Sequence, residues 1–384
     1  MIGFIINSLD VRGGTHKQLL KLLEYTEAKG EDFFIVTCNV DFERTYPEFR
    51  KYASRIRLFK EIKGSRGLVH RYGLWKRNCE QLRSLVADAD VVNMHDTGFD
   101  TWMPAFRKIP TVWQINDLHY SFRQGNTPGP DNLDKRAKRL IIRLGIKHID
   151  AITVNVSKNA DRVRQQLGRK AKVLYCGIEP LGLVCDCGAT FSRFADRRIN
   201  LLSSGVWFPY RNYETQVEVV RLLVDAGWDA RLDIIGSTQY SPAYVSEIEK
   251  LIRKYNLEDR ITIHGMVDEK RFKELHSNAD IFMFVNIDQS WGLAVFEAMS
   301  CGLPVIVSES VGATEILHDG IDSVWVNPLS ATDIADRVTE LATDRELYTR
   351  LSDAGRSFHN RYSWDESYCA PMYRLLQSLR RMAE

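Results

Sequence analysis

Asn286–Glu315 reads NIDQSWGLAVFEAMSCGLPVIVSESVGATE, and the order of residue types in it decides the fold. A loop with Gln289, Ser290, Trp291 and Gly292-Leu293 runs into a helix that carries Glu297. An apolar strand, Leu303 to Val307, follows. Val311-Gly312-Ala313-Thr314 is then expected to open another helix at Glu315. Small residues between a strand and a helix let a ligand approach backbone N–H groups. The helix N-terminus behind them offers unpaired donors and a partial positive charge. A carboxylate one turn inside that helix suits ligand hydroxyls rather than phosphate oxygens.

Outward from this block, strand-like apolar runs alternate with helical patterns. Ile2–Ile6 leads to a helix from Thr15 to Ala28, and strands are expected at Phe33–Thr37, Ile56–Phe59, Val91–Met94, Thr111–Ile115, Ile149–Val154 and Lys172–Leu174. After Arg198 the alternation restarts. Strands are expected at Asn200–Ser204, Arg231–Ile235, Ile261–His264, Ile281–Val285 and Val305–Val307, with helices near Tyr213–Asp225, Tyr244–Tyr255, Lys270–Ser277 and Leu293–Met299. Alternation of this kind implies parallel sheets with right-handed crossovers, and two series imply two Rossmann-like, doubly wound domains. Ligands then sit at the carboxyl ends of strands. No G-x-G-x-x-G follows the first strand, which argues against a dinucleotide dehydrogenase.

Composition permits this architecture. A chain of 384 residues allows two to three domains of about 100–200 residues each. Its 44% hydrophobic and 27% charged content is that of an ordinary globular protein. No apolar run reaches the roughly 18–20 residues that a membrane-spanning helix needs. MIGFIINSLD reads as a first core strand rather than a signal peptide. Seven scattered cysteines, including the close pair Cys185 and Cys187, are expected as reduced thiols in a cytoplasmic protein, with no metal site. The net charge of +2 hides an asymmetry. Residues 1–195 hold 32 basic and 21 acidic residues (+11), and the remainder 20 and 29 (−9). Basic residues concentrate in 50–83 and in Lys135–Lys147, a helical pattern. It places Ala137, Leu140, Ile141 and Leu144 on one face and Lys138, Arg139, Arg143 and Lys147 largely elsewhere. A solvated face, a phosphorylated acceptor or an anionic membrane surface fits this pattern, so a peripheral position at the inner membrane face stays open. Nucleic acid is not expected, because no motif for it accompanies the charge.

The 286–320 block resembles the signature of glycosyltransferase family 4, retaining enzymes of the GT-B fold. That signature is an acidic residue, seven residues, a glutamate, a Gly-Leu-Pro-Val strand and a small-residue loop ending in Glu-Ile. Glu297, Gly302-Leu303-Pro304-Val305 and Thr314-Glu315-Ile316 match it, whereas Gln289 stands in the first acidic position. The resemblance covers essentially the whole chain. It implies an α/β GT-B protein whose two Rossmann-like domains face a central cleft. Residues 1–181 would form the acceptor domain, 182–196 a linker, and 197–364 the nucleotide-sugar domain, with the terminal helix 365–384 able to pack back on the first. Tyr175-Cys176-Gly177-Ile178-Glu179-Pro180 is similar to the turn that closes the family's N-terminal domain.

The implied chemistry is transfer of a hexose-type sugar from a nucleotide diphosphate sugar, UDP-sugar favoured, to a hydroxyl of a glycan, glycolipid or small-molecule acceptor. No metal and no cofactor are expected. The leaving diphosphate must then be neutralised by Arg, Lys and backbone donors. Arg211 matches the family's lysine after the strand Leu201–Gly205, while Val206 stands where an arginine is usual. Gly13 and Gly14 match the family's Gly-Gly turn after the first strand, with His16 and Lys17 in the next turn as candidates for the acceptor or a phosphate. Glu297 resembles the glutamate that accepts hydrogen bonds from ribose hydroxyls. Gly292-Leu293 would bring N–H groups to the diphosphate, and the base would lie near Gly265-Met266-Val267. Gln289 can bond the donor sugar but cannot act as a base. Asn116 replaces a frequent histidine near the reacting centre, His119 is a candidate substitute for it, and His95 is a candidate acceptor contact. Two other readings stay open: a nucleotide-sugar-binding subunit without transfer activity, because Val206, Gln289 and Asn116 all depart from the pattern, and a sugar-nucleotide epimerase.

Overall fold

The computed structural model describes residues 1–64, 67–117, 122, 132–288 and 291–383. The chain divides into two units, Met1–Gly177 with Trp364–Glu384, and Ile178–Ser363.

The first unit is built on β1 (Ile2–Ile5), β3 (Phe33–Thr37), β5 (Ile56–Leu58), β6 (Val91–His95), β7 (Thr111–Ile115), β8 (Ala151–Val154) and β9 (Lys172–Val173), with β2 (Ser8–Leu9) and β4 (Asn39–Val40) as a short separate pair. The sheet order is β5-β3-β1-β6-β7-β8-β9, and every pairing is parallel. Runs such as FFIVT and TVWQI are buried along their whole length, as strands covered by helices on both faces must be. The helices are α1 (Gly14–Ala28), α2 (Leu68–Leu85), α3 (Leu133–Gly145) and α4 (Ser157–Leu167). The terminal helix Ala370–Ala383 joins them after a π-helical turn over Asp365–Cys369. Its Tyr373 ring packs edge-on against Tyr25, Gln377 and Arg380 donate to Glu31 at 2.9 and 2.8 Å, and Arg380 also reaches Asp90. Gly177 is a glycine because a Cβ there would lie 2.2 Å from Cα of Trp364.

The apolar side of α3 departs from what such a pattern normally does. Ala137, Leu140 and Leu144 do share a face, but that face meets solvent, with Leu140 58% and Leu144 62% exposed. Ile142, Gly145 and Ile146 are the residues buried instead.

In the second unit β10 (Arg198–Ser204), β11 (Asp229–Ile235), β12 (Ile261–Gly265), β13 (Ile281–Phe284), β14 (Val305–Ser308) and β15 (Val324–Val326) form an all-parallel sheet of order β12-β11-β10-β13-β14-β15. This is the Rossmann order, reversing direction between β10 and β13. Its helices are α5 (Cys187–Ala195), α6 (Tyr213–Asp225), α7 (Pro242–Lys254), α8 (Glu269–Asn278), α9 (Leu293–Ser300), α10 (Ala331–Thr343) and α11 (Arg345–Phe358).

Two expectations need correction. The stretch 182–196, read as a linker, contains α5, whose Phe194 belongs to the second unit's core. Asp186 caps this helix by accepting from the N–H groups of Gly188 and Ala189 at 2.8 and 3.3 Å. No helix opens at Glu315 either: Gly312–Glu315 is a single 3-10 turn, and Ile316 leaves it with φ −126°. The small residues there tighten the turn without continuing it.

The α5 helix is tied to the sheet by a buried ion pair. Arg193 donates through Nε to both oxygens of Asp280, at 2.9 and 3.2 Å, and through Nη2 at 2.5 Å; Asp280 also accepts from the N–H of Asn200 at 2.8 Å. Asp280 is fully buried, and burial raises its pKa against the opposing pull of Arg193. Removing one partner of such a pair leaves the other charge uncompensated. Asp280→Ala is therefore expected to cost about 3–5 kcal/mol, read as a lower urea midpoint for the second unit. A midpoint shift below about 1 kcal/mol, the scale of an exposed pair, would show that the pair is surface-like.

Candidate active site

In an open parallel sheet, the loops leaving the carboxyl ends beside the strand-order reversal form the ligand crevice. In the second unit these loops follow β10 and β13, and hydrogen bonds fix them to one another. The N–H of Ile287 donates to Tyr210 O at 2.7 Å. Asn212, in the left-handed region at φ 58°, donates its carboxamide to Val285 O at 3.0 Å and Pro328 O at 2.6 Å. Trp207 is fully buried against Tyr213, with ring centroids 4.2 Å apart, and its backbone N–H donates to Ser237 O at 3.0 Å.

Arg211 lies within this frame. Its Nε donates to Val206 O at 3.1 Å. The Asn286 carboxamide oxygen accepts from Nη1 at 2.9 Å, and its nitrogen donates to Arg211 O at 3.3 Å. The guanidinium also sits 5.8 Å from the Phe284 ring centroid. Room for it comes from two glycines. A Cβ on Gly205 would lie 2.5 Å from Cζ of Arg211, and a Cβ on Gly236, at φ +140°, would lie 1.9 Å from Gly205 O. Asn286 and Gly236 were not singled out in the sequence. The signal for Gly236 was a glycine directly after a strand, which marks close backbone approach.

Gly292 starts α9 at φ 93°, and a Cβ there would meet the Phe284 ring at 2.8 Å, so the position demands glycine. Leu293 is half-buried, and Glu297 follows one turn further in, half-buried, on the same helix. Ser310 ties the neighbouring loops by accepting from the N–H of Asp288 and donating to Asn286 O, each at 3.3 Å. Met266 stands just past β12, 55% exposed, after Gly265 at φ +65°. The structure thus gathers Arg211, Gly292, Leu293 and Glu297 around β10 and β13, with Met266 at the end of edge strand β12. Gln289 lies outside the described residues.

The carboxyl ends of β1, β6 and β7 in the first unit hold a buried polar network. Asp96, at φ 51°, accepts from Thr15 Oγ1 and, at 2.7 Å, from the N–H of Asn116. Asn116 donates to Thr15 Oγ1 at 3.0 Å and Gln18 Oε1 at 2.9 Å and accepts from Gln114 Nε2 at 3.0 Å. Both its N–H donors are therefore committed within the fold, and its main role here is to tie α1 to β7. Burial raises the Asp96 pKa despite these donors.

Gly13 precedes α1 at φ −122°, a conformation open to any residue; glycine there leaves His16 Nδ1 uncovered, 3.3 Å from where a Cβ would be. Gly14 is exposed at the first turn. His16 Nε2 meets Ser8 O at 2.9 Å, and His95 Nε2 meets Asn93 Oδ1 at 2.7 Å. Since Ser8 O and Asn93 Oδ1 can only accept, each Nε2 carries the proton. Each Nδ1 is left as a bare, buried lone pair without a protein partner. Burial lowers both pKa values, that of His95 to about 3, so both rings stay neutral near pH 7. Lys17 lies 5.4 Å from the Tyr46 ring centroid. His119 lies outside the described residues. Among those described, no cluster of His, Cys, Asp and Glu is arranged to hold a metal, and no helix is long and apolar enough to cross a membrane.

With this geometry in place, the comparisons with known proteins agree. The solved structure of Anabaena Alr3699/HepE in complex with UDP-glucose superposes with a TM-score of 0.73 at 13% identity, over 98% of this chain and 99% of that one. Two Rossmann-like units, each with a parallel sheet, are those of the GT-B class of glycosyltransferases. Residues 12–180 match Glycosyltransferase Family 4, and residues 191–358 match Glycosyl transferases group 1. The chain belongs to glycosyltransferase family 4 and is a glycosyltransferase. It is 23% identical over 314 residues to the alpha-D-kanosaminyltransferase of Streptomyces kanamyceticus, covering 76% of this chain and 79% of that protein. It is 28% identical over 153 residues to the D-inositol 3-phosphate glycosyltransferase of Xylanimonas cellulosilytica, a match spanning 40% of this chain but 37% of that relative.

One buried carboxylate near this network gives a pH test. Asp100, just past β6, has Oδ2 buried without a partner, and burial pushes its pKa up to about 7. An acid whose folded-state pKa is raised binds more protons folded than unfolded between about 4 and 7, so stability falls as pH rises through that window. The shift corresponds to an upper bound on the order of 4 kcal/mol. Chemical denaturation of the chain at pH 4.5 and 7.5 should show this decline, and Asp100→Asn should flatten it. An unchanged slope in the variant would rule out Asp100 as its source.

Proposed function

We propose that this enzyme moves a hexose-type sugar from a nucleotide diphosphate sugar, with UDP-sugar favoured, to an acceptor hydroxyl with retention at the anomeric carbon and without a metal. One observation carries the reading. Arg211 is held against Val206 O, Asn286 and Phe284 at the end of β10, while Gly292 and Glu297 open and line α9 beside it. That pairing supplies a cation and N–H donors for a diphosphate, and a carboxylate for ribose hydroxyls. The complex of HepE with UDP-glucose supports a uridine donor by analogy of fold.

The acceptor reading rests on the first unit. Neutral His16 and His95 each offer a bare Nδ1 that can accept a hydroxyl hydrogen bond, and neither is charged to attract phosphate. In the transfer, the bond from C1 to the phosphate oxygen breaks, and the acceptor oxygen bonds C1 on the same face. The acceptor proton passes to the departing phosphate, so no carboxylate base is required. Gln289 then hydrogen-bonds the donor sugar, and Asn116 braces the acceptor side through its ties to α1 and β7. The acceptor is a glycan, glycolipid or small molecule, and the site of action is the cytoplasm.

The test is nucleotide release from UDP-, GDP-, ADP- and dTDP-sugars with chelator present. Release of one nucleotide, indifferent to chelator, is expected. Glu297→Ala should weaken donor binding by about 10- to 150-fold, as for hydrogen bonds to a charged group. Arg211→Ala should lower turnover of the bound donor as well. Loss of turnover on chelation would overturn metal independence, and an unaffected Glu297→Ala would remove the ribose assignment.

A further inference from the structure

We propose that the first unit docks on an anionic lipid bilayer through one face built from α2 and α3. On α3, Leu133, Leu140 and Leu144 are 83%, 58% and 62% exposed, and they recur at the spacing of a single helical stripe. On α2, Val69 and Tyr72 are 88% and 64% exposed. Both helices pack on the same segment, Asp100–Phe106, and Arg71 on α2 lies 3.9 Å from Asp134 on α3, so their starts are neighbours. Isolated exposed apolar residues are ordinary, but several large ones on adjoining helices are not.

The charge pattern selects the occupant. At 100° per residue, Arg136 and Arg143 fall together along one edge of the α3 stripe, Lys147 follows in the 3-10 turn just past the helix end, and all three are exposed. Asp134 is the acid beside the stripe, and it is bridged by Arg71 and by Lys138 at 3.1 Å. Arg71 and Lys76 add basic groups on α2, where Glu80 lies 3.9 Å from Lys76. An apolar stripe with a basic border fits the boundary between acyl chains and anionic headgroups. A second copy docking through the same face would bring like charge against this border, and an acidic surface, the C-terminal half of another copy included, would leave the leucines to be covered by something other than its charge. The inference is independent of the donor assignment, because its readout needs no catalysis.

The experiment is flotation of the whole chain with phosphatidylcholine vesicles, with and without about one-third phosphatidylglycerol, at low and high salt. Binding is expected to the anionic vesicles only, and to weaken with salt. Leu140→Glu with Leu144→Glu should abolish it while leaving the circular dichroism, the melting temperature and nucleotide release unchanged, since both side chains already face solvent. Lys147→Glu should weaken it roughly fivefold or more. Binding that survives the leucine substitutions, or no binding to either vesicle, would overturn the proposal. So would a dimer in sedimentation velocity that the same substitutions dissolve.

Discussion

A parallel sheet covered by helices on both faces leaves few polar groups for a ligand except at its strand ends. Everything functional in this chain follows from that constraint. In the second unit the consequence is most visible at Gly205. Gly236 presses its backbone onto Gly205 O, and Arg211 folds over the space that a Cβ would fill. Neither contact tolerates a side chain, so the strand ends approach closely enough for one arginine to lie across them. The buried Asp280 does the equivalent work at the other end of the sheet, taking the N–H of Asn200 and the guanidinium of Arg193 together.

What could be read from sequence divides along the same line. Strands such as Phe33–Thr37 and Thr111–Ile115, and α6 at Tyr213–Asp225, carry apolar runs or periodicities that single residues cannot disguise. The helix α5 escaped because CGATFSRFA has few strong helix formers and sits between two domain-like series, although Asp186 supplied a cap that could have announced it. The same signal, Ser330 before α10 and Asp344 before α11, marks two helices that went unassigned. Gly312–Glu315 misled in the opposite direction, since small residues permit a helix start without requiring one. Periodicity also identified the apolar face of α3 but carried no information on which way that face would turn.

Site residues were legible where the backbone dictates their type. Gly292 is fixed by its left-handed φ and by Phe284; Glu297, one turn into α9, was read from the family's pattern, since the backbone there does not dictate a carboxylate. Asn116 was not legible in the same way. Beside its neighbour Gln114, its partners Thr15 and Gln18 come from α1, and no local pattern links positions about a hundred residues apart. Read alone, Asn116 looked like a substituted active-site histidine; in the fold it is a fastener whose two N–H donors are already used. The protonation states of His16 and His95 also depend on acceptors, Ser8 O and Asn93 Oδ1, that only the folded chain brings to them.

Val206 is the departure that most changes how a diphosphate would be met. Two flexible cations would each lose side-chain entropy on binding. Here a single cation is held in place before any ligand arrives: the main-chain carbonyl of residue 206, which any side chain there would leave available, takes Nε of Arg211, and Asn286 takes Nη1. A guanidinium has five N–H donors. Committing Nε and one hydrogen of Nη1 fixes the plane of the fork and leaves Nη2 outside both bonds, the pair that the proposed diphosphate contact would use. This compensates orientation, not charge: one positive group cannot neutralise a diphosphate alone. On the metal-free reading proposed above, the remainder comes from oriented N–H dipoles such as those at the start of α9, which add no formal charge to the acidic C-terminal half.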